Sequence, residues 1–484
     1  MFENEYINSL KKLTRRVYIQ GASVVDPLEH PLVRLSTAAI GRTYALQDQP
    51  EHETLIYARS HLSGRRINRF THIHRSTEDL INKVKLQRLL GQQTGTCFQR
   101  CVGMDALNAL EITTFDLERD LGKPYHRNFN RFLGQVQEEN AVCGGAMTDP
   151  KGDRSKRPHE QADPDLYLRV ISRNNEGIVV KGAKCHQTGA LNAHYIIVMP
   201  TLAMQEEDRA YAVSFAVEAD NPQLIYILGR QPSDMRKLEP HRADIGNLYY
   251  GGQECLIIFD HVFIPWERVF LCGEYNYSGP LVERFAGYHR QSYGGCKAGV
   301  GDLLIGAAAS LAEYQGLDKP SHIRDKLVEM IHLNETIFSC GIACSVQGTA
   351  TASGTYLIDL LLANVCKLNV TRFPYEMARI AEDIAGGLLA TLPPLKDLEH
   401  PEIGPLLNKY LQGVAGIKTA CRLKMLRFVE NLTLGAAAAA YLTESLHGAG
   451  SPQAQRVVIA RQADLERKKK MAQKLAGIEE EEKL

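Results

Sequence analysis

The chain of 484 residues lacks net charge, since 56 Lys and Arg balance 56 Asp and Glu. Without a field of one sign, it has little to draw in nucleic acid or an anionic lipid surface. It also lacks a Gly-x-Gly-x-x-Gly loop between a strand and a helix, which disfavours a Rossmann nucleotide site. No internal repeat and no long linker divides it. The opening MFENEYINSLKKLTRRV is charged and amphipathic and does not read as a signal peptide. The longest uncharged run, Thr336 to Ile358, is interrupted by SVQGTATASG. It therefore reads as a buried helix followed by a loop, not as a membrane span. Eleven cysteines, an odd number without framework spacing, exclude a disulfide scaffold. Thiols held free or on metal, in a reducing cytoplasmic setting, are expected.

What is present suits a globular protein: 44% apolar and 23% charged residues, over a length that calls for two or three packed units. Residues 1–143 carry helical periodicity in EYINSLKKLTRRVYI, HPLVRLSTAAIGRTYAL and STEDLINKVKLQRLLGQ, the last opened by the N-cap pattern Ser76–Asp79. Residues 144–278 change to β-type runs. DLYLRVIS and IVVKGAK flank a turn in which Gly177 is expected at positive φ, and HYIIVMP, YAVSFAV, LIYILGR and CLIIFDHVFIP follow. Residues 279–484 return to the helical period and finish in a charged tail, LAGIEEEEKL. The expected class is α+β, mainly α: a helical domain, a middle β domain and a C-terminal helical bundle.

Two spacings carry chemistry. In TGTCFQRCVGMDALNAL, Cys97 and Cys101 are four apart, and on a helix they would share one face. In ERFAGYHRQSYGGCKAGVGD, His289 and Cys296 are seven apart, again one face, with Tyr293 and Lys297 on nearly the same stripe. Three thiols and an imidazole suit zinc or an iron–sulfur cluster, while two unrelated buried pairs would give the same spacings. Gly294 and Gly295 interrupt this second stripe at about 1 kcal/mol each, which implies close approach by something. GGAMTDPKGDRS (144–155) forms a polar loop able to hydrogen-bond a planar cofactor or a pyrophosphate, and CHQTGA (185–190) offers a second. Turn-rich connectors would look similar.

Together with GGQE, LNETIFSCGIACS, RFPYEMARIAEDIAGG and TESLHGAGSPQAQR, these segments resemble the 4-hydroxybutyryl-CoA dehydratase family over almost the whole chain. That family belongs to the flavin-dependent 4-hydroxyphenylacetate hydroxylase superfamily, built on the acyl-CoA dehydrogenase plan and usually tetrameric. The resemblance implies a 4Fe–4S cluster on Cys97, Cys101, His289 and Cys296. It implies FAD bound by Met147, Thr148, Asp149, Pro150, Lys151, Gly152, Asp153 and Arg154, by His186, Gln187, Thr188 and Gly189, and near Lys297. His289, Glu254, Glu444, Tyr293 and Lys297 become the catalytic set. The implied reaction dehydrates 4-hydroxybutyryl-CoA to crotonyl-CoA through a ketyl radical, with vinylacetyl-CoA Δ-isomerase activity, in a homotetramer with acyl-CoA substrates. The resemblance implies that a base removes the acidic α proton, one electron leaves to FAD, the β proton is lost, the hydroxyl departs as the ketyl radical collapses, and the electron returns at the end. Two alternatives stand beside it. One is a two-component FAD-dependent monooxygenase of a phenol, without a cluster. The other is a non-enzymatic protein using a cluster or zinc for structure.

Overall fold

Apolar residues recurring every three to four positions form helices at both ends of the chain, and β-branched runs form the sheets between them. The computed structural model describes residues 3–231 and 235–478. The EEEEKL end of the tail and the first two residues of the opening stretch lie outside the described residues. The longer N-terminal helices are Glu3–Lys11, Pro31–Ala45, Thr77–Thr94, Cys101–Leu121 and Tyr125–Glu139. The third starts as its sequence requires, with Ser76 Oγ accepting from the Asp79 amide at 3.1 Å. One run expected to be helical throughout is not. EYINSLKKLTRRVYI leaves the helix after Lys11, and Arg16–Ile19 becomes a strand with alternate residues buried. Its Val, Tyr and Ile side chains fit a pleated, half-buried surface better than a helix.

That strand joins a six-stranded sheet. The order is Ala22–Val24, Arg16–Ile19, Leu224–Leu228, Glu254–Pro265, Gly177–Thr188, Arg169–Arg173. A four-stranded sheet runs Val269–Cys272, Val213–Glu218, Tyr195–Val198, Cys143–Ala146. The two share one apolar core, in which Phe215 and Phe259 meet edge to face at 6.1 Å. Gly177 does not take a positive φ. The turn before it is closed by Asn174 Oδ1, which accepts from the Glu176 and Gly177 amides. Glycine is needed at 177 because a Cβ would overlap the carbonyl of Ile264 on the next strand.

The C-terminal bundle is organised by one 37-residue helix, Ser278–Tyr314. By length and apolarity it is the one described helix that could cross a membrane, yet 67% of its apolar window is buried inside the fold. It runs straight through Gly294 and Gly295. A Cβ at Gly294 would meet the Gly341 backbone of Ser321–Val346, and one at Gly295 or Gly299 would overlap Val84 O or Arg88 O of Thr77–Thr94. The close approach that the glycines imply is therefore made by two helix backbones, one on either side. Ala436–His447 departs from the regular helix expected there: a π turn, Ala439–Thr443, is followed by the short helix Glu444–His447. We predict that Gly299→Ala lowers stability by about 1–3 kcal/mol, through overpacking against backbone. Gly306→Ala, where a Cβ meets nothing, should gain up to about 1 kcal/mol from helix propensity. Urea unfolding of the two variants checks the pair, and equal midpoints would show that the glycine seam does not set the helix spacing.

Candidate active site

The stripe of two thiols expected on one helical face is not how Cys97 and Cys101 meet. Gly95, at φ 60°, ends the preceding helix, and Gln99 turns the chain again at φ 63°. Cys97 thus lies in a loop, and Cys101 is the first residue of the next helix. The loop brings the two sulfurs within hydrogen-bonding reach, and this contact, with burial, pushes the Cys101 thiol up. Cys296 of Ser278–Tyr314 packs against the same pocket. Burial pushes its thiol up to about 12, with Cys97 as a neighbouring charge. Among the described residues, no three of His, Cys, Asp and Glu are grouped so as to hold a metal ion.

A buried carboxylate holds His289. Its Nδ1 lies 2.8 Å from Asp105 Oδ2, and its ring stacks on Phe285 and meets Tyr293 edge-on at 5.2 Å. Asp105 is fully buried and paired with the equally buried Lys83 at 2.6 Å, and Ser292 Oγ donates to it at 2.9 Å. Lys83 also donates to Tyr288 O and Gln291 Oε1, both at 2.9 Å. The Lys83 and His289 charges keep the Asp105 carboxyl below its usual range despite its burial. With Nδ1 turned to Asp105, Nε2 is the nitrogen left for another partner or a proton.

The acid cluster comes from three elements. Thr188 and Glu254 are cross-strand partners, and Thr188 Oγ1 donates to Glu254 Oε2 at 2.8 Å. Burial, then the charge of Glu444, lifts Glu254 well above the usual carboxylate range. Glu444 pairs with Lys297 at 3.0 Å, and Lys297 also donates to Ala440 O in the π turn. Tyr293 lies beneath, with the Lys297 ammonium 5.1 Å from its ring centroid. A Cβ at Gly448 would overlap the Tyr293 hydroxyl, so the phenol reaches the end of the short helix. Burial raises the Tyr293 phenol, and Glu444 and the three thiols add to the rise.

The two polar loops meet beside this cluster. The Cys185 amide donates to Thr148 O at 2.8 Å, and Lys184 Nζ donates to Met147 O and Asp149 Oδ2, also at 2.8 Å. Asp149 is buried and further occupied by the Leu168 amide, so it shapes the loop from below. Pro150, Gly152, Asp153 and Arg154 are exposed, and Lys151 takes φ 74°. CHQTG is not a turn: it finishes a strand, with a β-bulge that places His186 outward at φ 62° near Lys151 and His447. Gln187 folds back on Cys185 O, and Gly189 lies against Gln99 of the cysteine loop. Sequence reasoning missed Asp105, Lys83 and Lys367. The available signal was a charged residue in otherwise apolar helical runs, VGMDALNAL, INKVKL and NVCKLNV.

Models of the 4-hydroxyphenylacetate 3-hydroxylase N-terminal and C-terminal regions match residues 3–271 and 278–477. The chain is 53% identical to the 4-hydroxybutyryl-CoA dehydratase/vinylacetyl-CoA-Δ-isomerase of Clostridium aminobutyricum, over 99% of both chains. The solved structure of an oxygen-tolerant archaeal 4-hydroxybutyryl-CoA dehydratase from N. maritimus is 54% identical and superimposes with a TM-score of 0.97, covering 99% of this chain and 95% of that one. At the level of fold alone, the oxygenase component of 4-hydroxyphenylacetate 3-monooxygenase complexed with FAD matches at 23% identity and a TM-score of 0.87, over 98% of both chains. A glutaryl-coenzyme A dehydrogenase matches at 11% and 0.55, covering 95% of this chain and 93% of that one, which places the architecture on the acyl-CoA dehydrogenase plan. Its gathered thiols, paired acids and two polar loops are thus set in a chain that belongs to the 4-hydroxyphenylacetate 3-hydroxylase family and, within it, to the 4-hydroxybutyryl-CoA dehydratases.

Proposed function

We propose that this enzyme dehydrates 4-hydroxybutyryl-CoA to crotonyl-CoA and isomerises vinylacetyl-CoA. The observation that carries the reading is the meeting of Cys97, Cys101 and Cys296, from two distant parts of the chain, beside the Glu254–Glu444–Lys297–Tyr293 cluster. Three sulfurs and an imidazole backed by a carboxylate are donor types that a 4Fe–4S cluster takes, and Cys97, Cys101, His289 and Cys296 would hold it. Residues 147–154 and 186–189, with Lys297, would hold FAD, since the loops leave exposed polar backbone and cations at one edge of the acid cluster. When bound, the flavin supplies a one-electron acceptor and donor, and the cluster supplies an electrophilic iron.

The chain's own groups divide the proton work. Burial and the neighbouring Glu444 charge push the Glu254 carboxyl toward the neutral form. Glu254 is therefore the acid that protonates the departing hydroxyl, with Thr188 fixing its orientation. Glu444, paired with Lys297, takes the α proton next to the thioester. Nε2 of His289, when it is not holding the cluster, would take the β proton, its ring aimed by Asp105. Tyr293 donates toward the hydroxyl from the other side. A homotetramer and a cytoplasmic setting complete the proposal.

Purification without air should give a protein containing iron, sulfide and FAD that converts 4-hydroxybutyryl-CoA to crotonyl-CoA. Flavin without iron would point to a monooxygenase, and metal without flavin to a structural protein. His289→Ala should abolish dehydration and lower iron content; a fully active variant removes His289 from both roles. Asp105→Asn should lower metal affinity or activity about 10–100-fold, as loss of a ligand's outer partner does. Iron titration and initial rates check this, and wild-type values in both would leave Asp105 without an orienting role.

A further inference from the structure

Lys367, on the helix Leu360–Val370, is fully buried, and the proton transfers above do not use it. Its Nζ donates to Ser445 O, the carbonyl next to Glu444, and lies 4.7 Å from the Tyr293 ring centroid. One residue class recurs along this segment. Lys297 donates to Ala440 O, Lys367 to Ser445 O, and Arg290 to Ala449 O at 3.0 Å. A π turn followed by a four-residue helix leaves carbonyls without intrahelical partners, and cations at a helix C-terminus satisfy them. Arg290 also donates to Asn364 Oδ1, one turn before Lys367, so this helix and the long helix grip 440–449 together.

A neutral donor would satisfy Ser445 O without the cost of burying an ammonium. The cation instead sits behind the phenol, in a pocket that also holds Glu254, Glu444 and three thiols. Around Lys367 are the charges of Lys297 and Arg290 and the Cys366 and Cys296 thiols, together with the Tyr293 ring. Burial, then the two cations, lowers its ammonium to about 7.

We propose that Lys367 is a positioning residue for the dehydration. It fixes the Glu444 carboxylate by holding the Ser445 carbonyl, and its side chain backs the Tyr293 ring. The inference rests on the dehydratase reading for its kinetic consequence but not for its structural one. Lys367→Met keeps the length and removes the charge, and Lys367→Arg keeps the charge. In Lys367→Met, kcat for 4-hydroxybutyryl-CoA should fall at least tenfold with KM within twofold and with wild-type iron and FAD content. Lys367→Arg should recover most of that loss. Amide exchange across 441–448 should quicken about tenfold in Lys367→Met, with 360–370 unchanged. Wild-type kcat in Lys367→Met overturns the proposal, as does unchanged exchange. A parent chain inactive on 4-hydroxybutyryl-CoA would count against the functional reading alone, and exchange would then decide for Lys367. If Lys367→Met does not fold, Lys367→Arg decides: it must keep slow exchange in 441–448 and most of the parental kcat.

Discussion

The site depends on one contact: the backbone of Ser278–Tyr314 lying directly against Thr77–Thr94, with glycine on both sides of the seam. A Cβ at Gly91 would overlap Cys296 O, and one at Gly299 would overlap Arg88 O. With no side chain between them, the two helices have little freedom to slide. That matters because His289, Tyr293, Cys296 and Lys297 all ride on the long helix, while the loop carrying Cys97 begins where the other helix ends. Closing the seam brings the two sets of groups together.

The buried polar residues then fix orientation. Lys83 reaches from one helix to Asp105 on a second, and Asp105 reaches to His289 on a third. A charge pair with no water around it is weak evidence for stability, since apolar residues of the same volume often serve as well. Its use here is geometric: it ties three helices to one ring orientation. On the opposite side, the π turn at 439–443 performs a similar service, trading regular helix for free carbonyls that lysines can grip. Both devices spend local stability on placing a few side chains.

The sheets contribute through register. Pairing Glu254 with Thr188 puts a hydrogen bond on the acid, and the bulge one step away turns His186 out toward Lys151 and His447. Two loops far apart in sequence thereby form one edge of the site. Residues 16–24 complete the same sheet, so the N-terminal part of the chain braces the β unit as well as supplying thiols.

Periodicity in the sequence determined the helix–sheet–helix order, and residue type at Cys97, Cys101, His289 and Cys296 determined which atoms could bind metal. These are legible because burying an amphipathic run leaves few local choices, and because thiols and imidazoles are the side chains that bind soft metals. Only the tertiary structure decided that Cys97 sits in a loop, since that depends on Gln99 adopting φ 63°, a conformation that residue type does not announce. It alone showed that the spaces beside Gly294 and Gly295 are filled by helix backbones, and that Asp105, Lys83 and Lys367 face the site. The reason is the same in each case: a buried charge is stable only beside partners contributed by other elements, and one sequence does not say which elements will be neighbours.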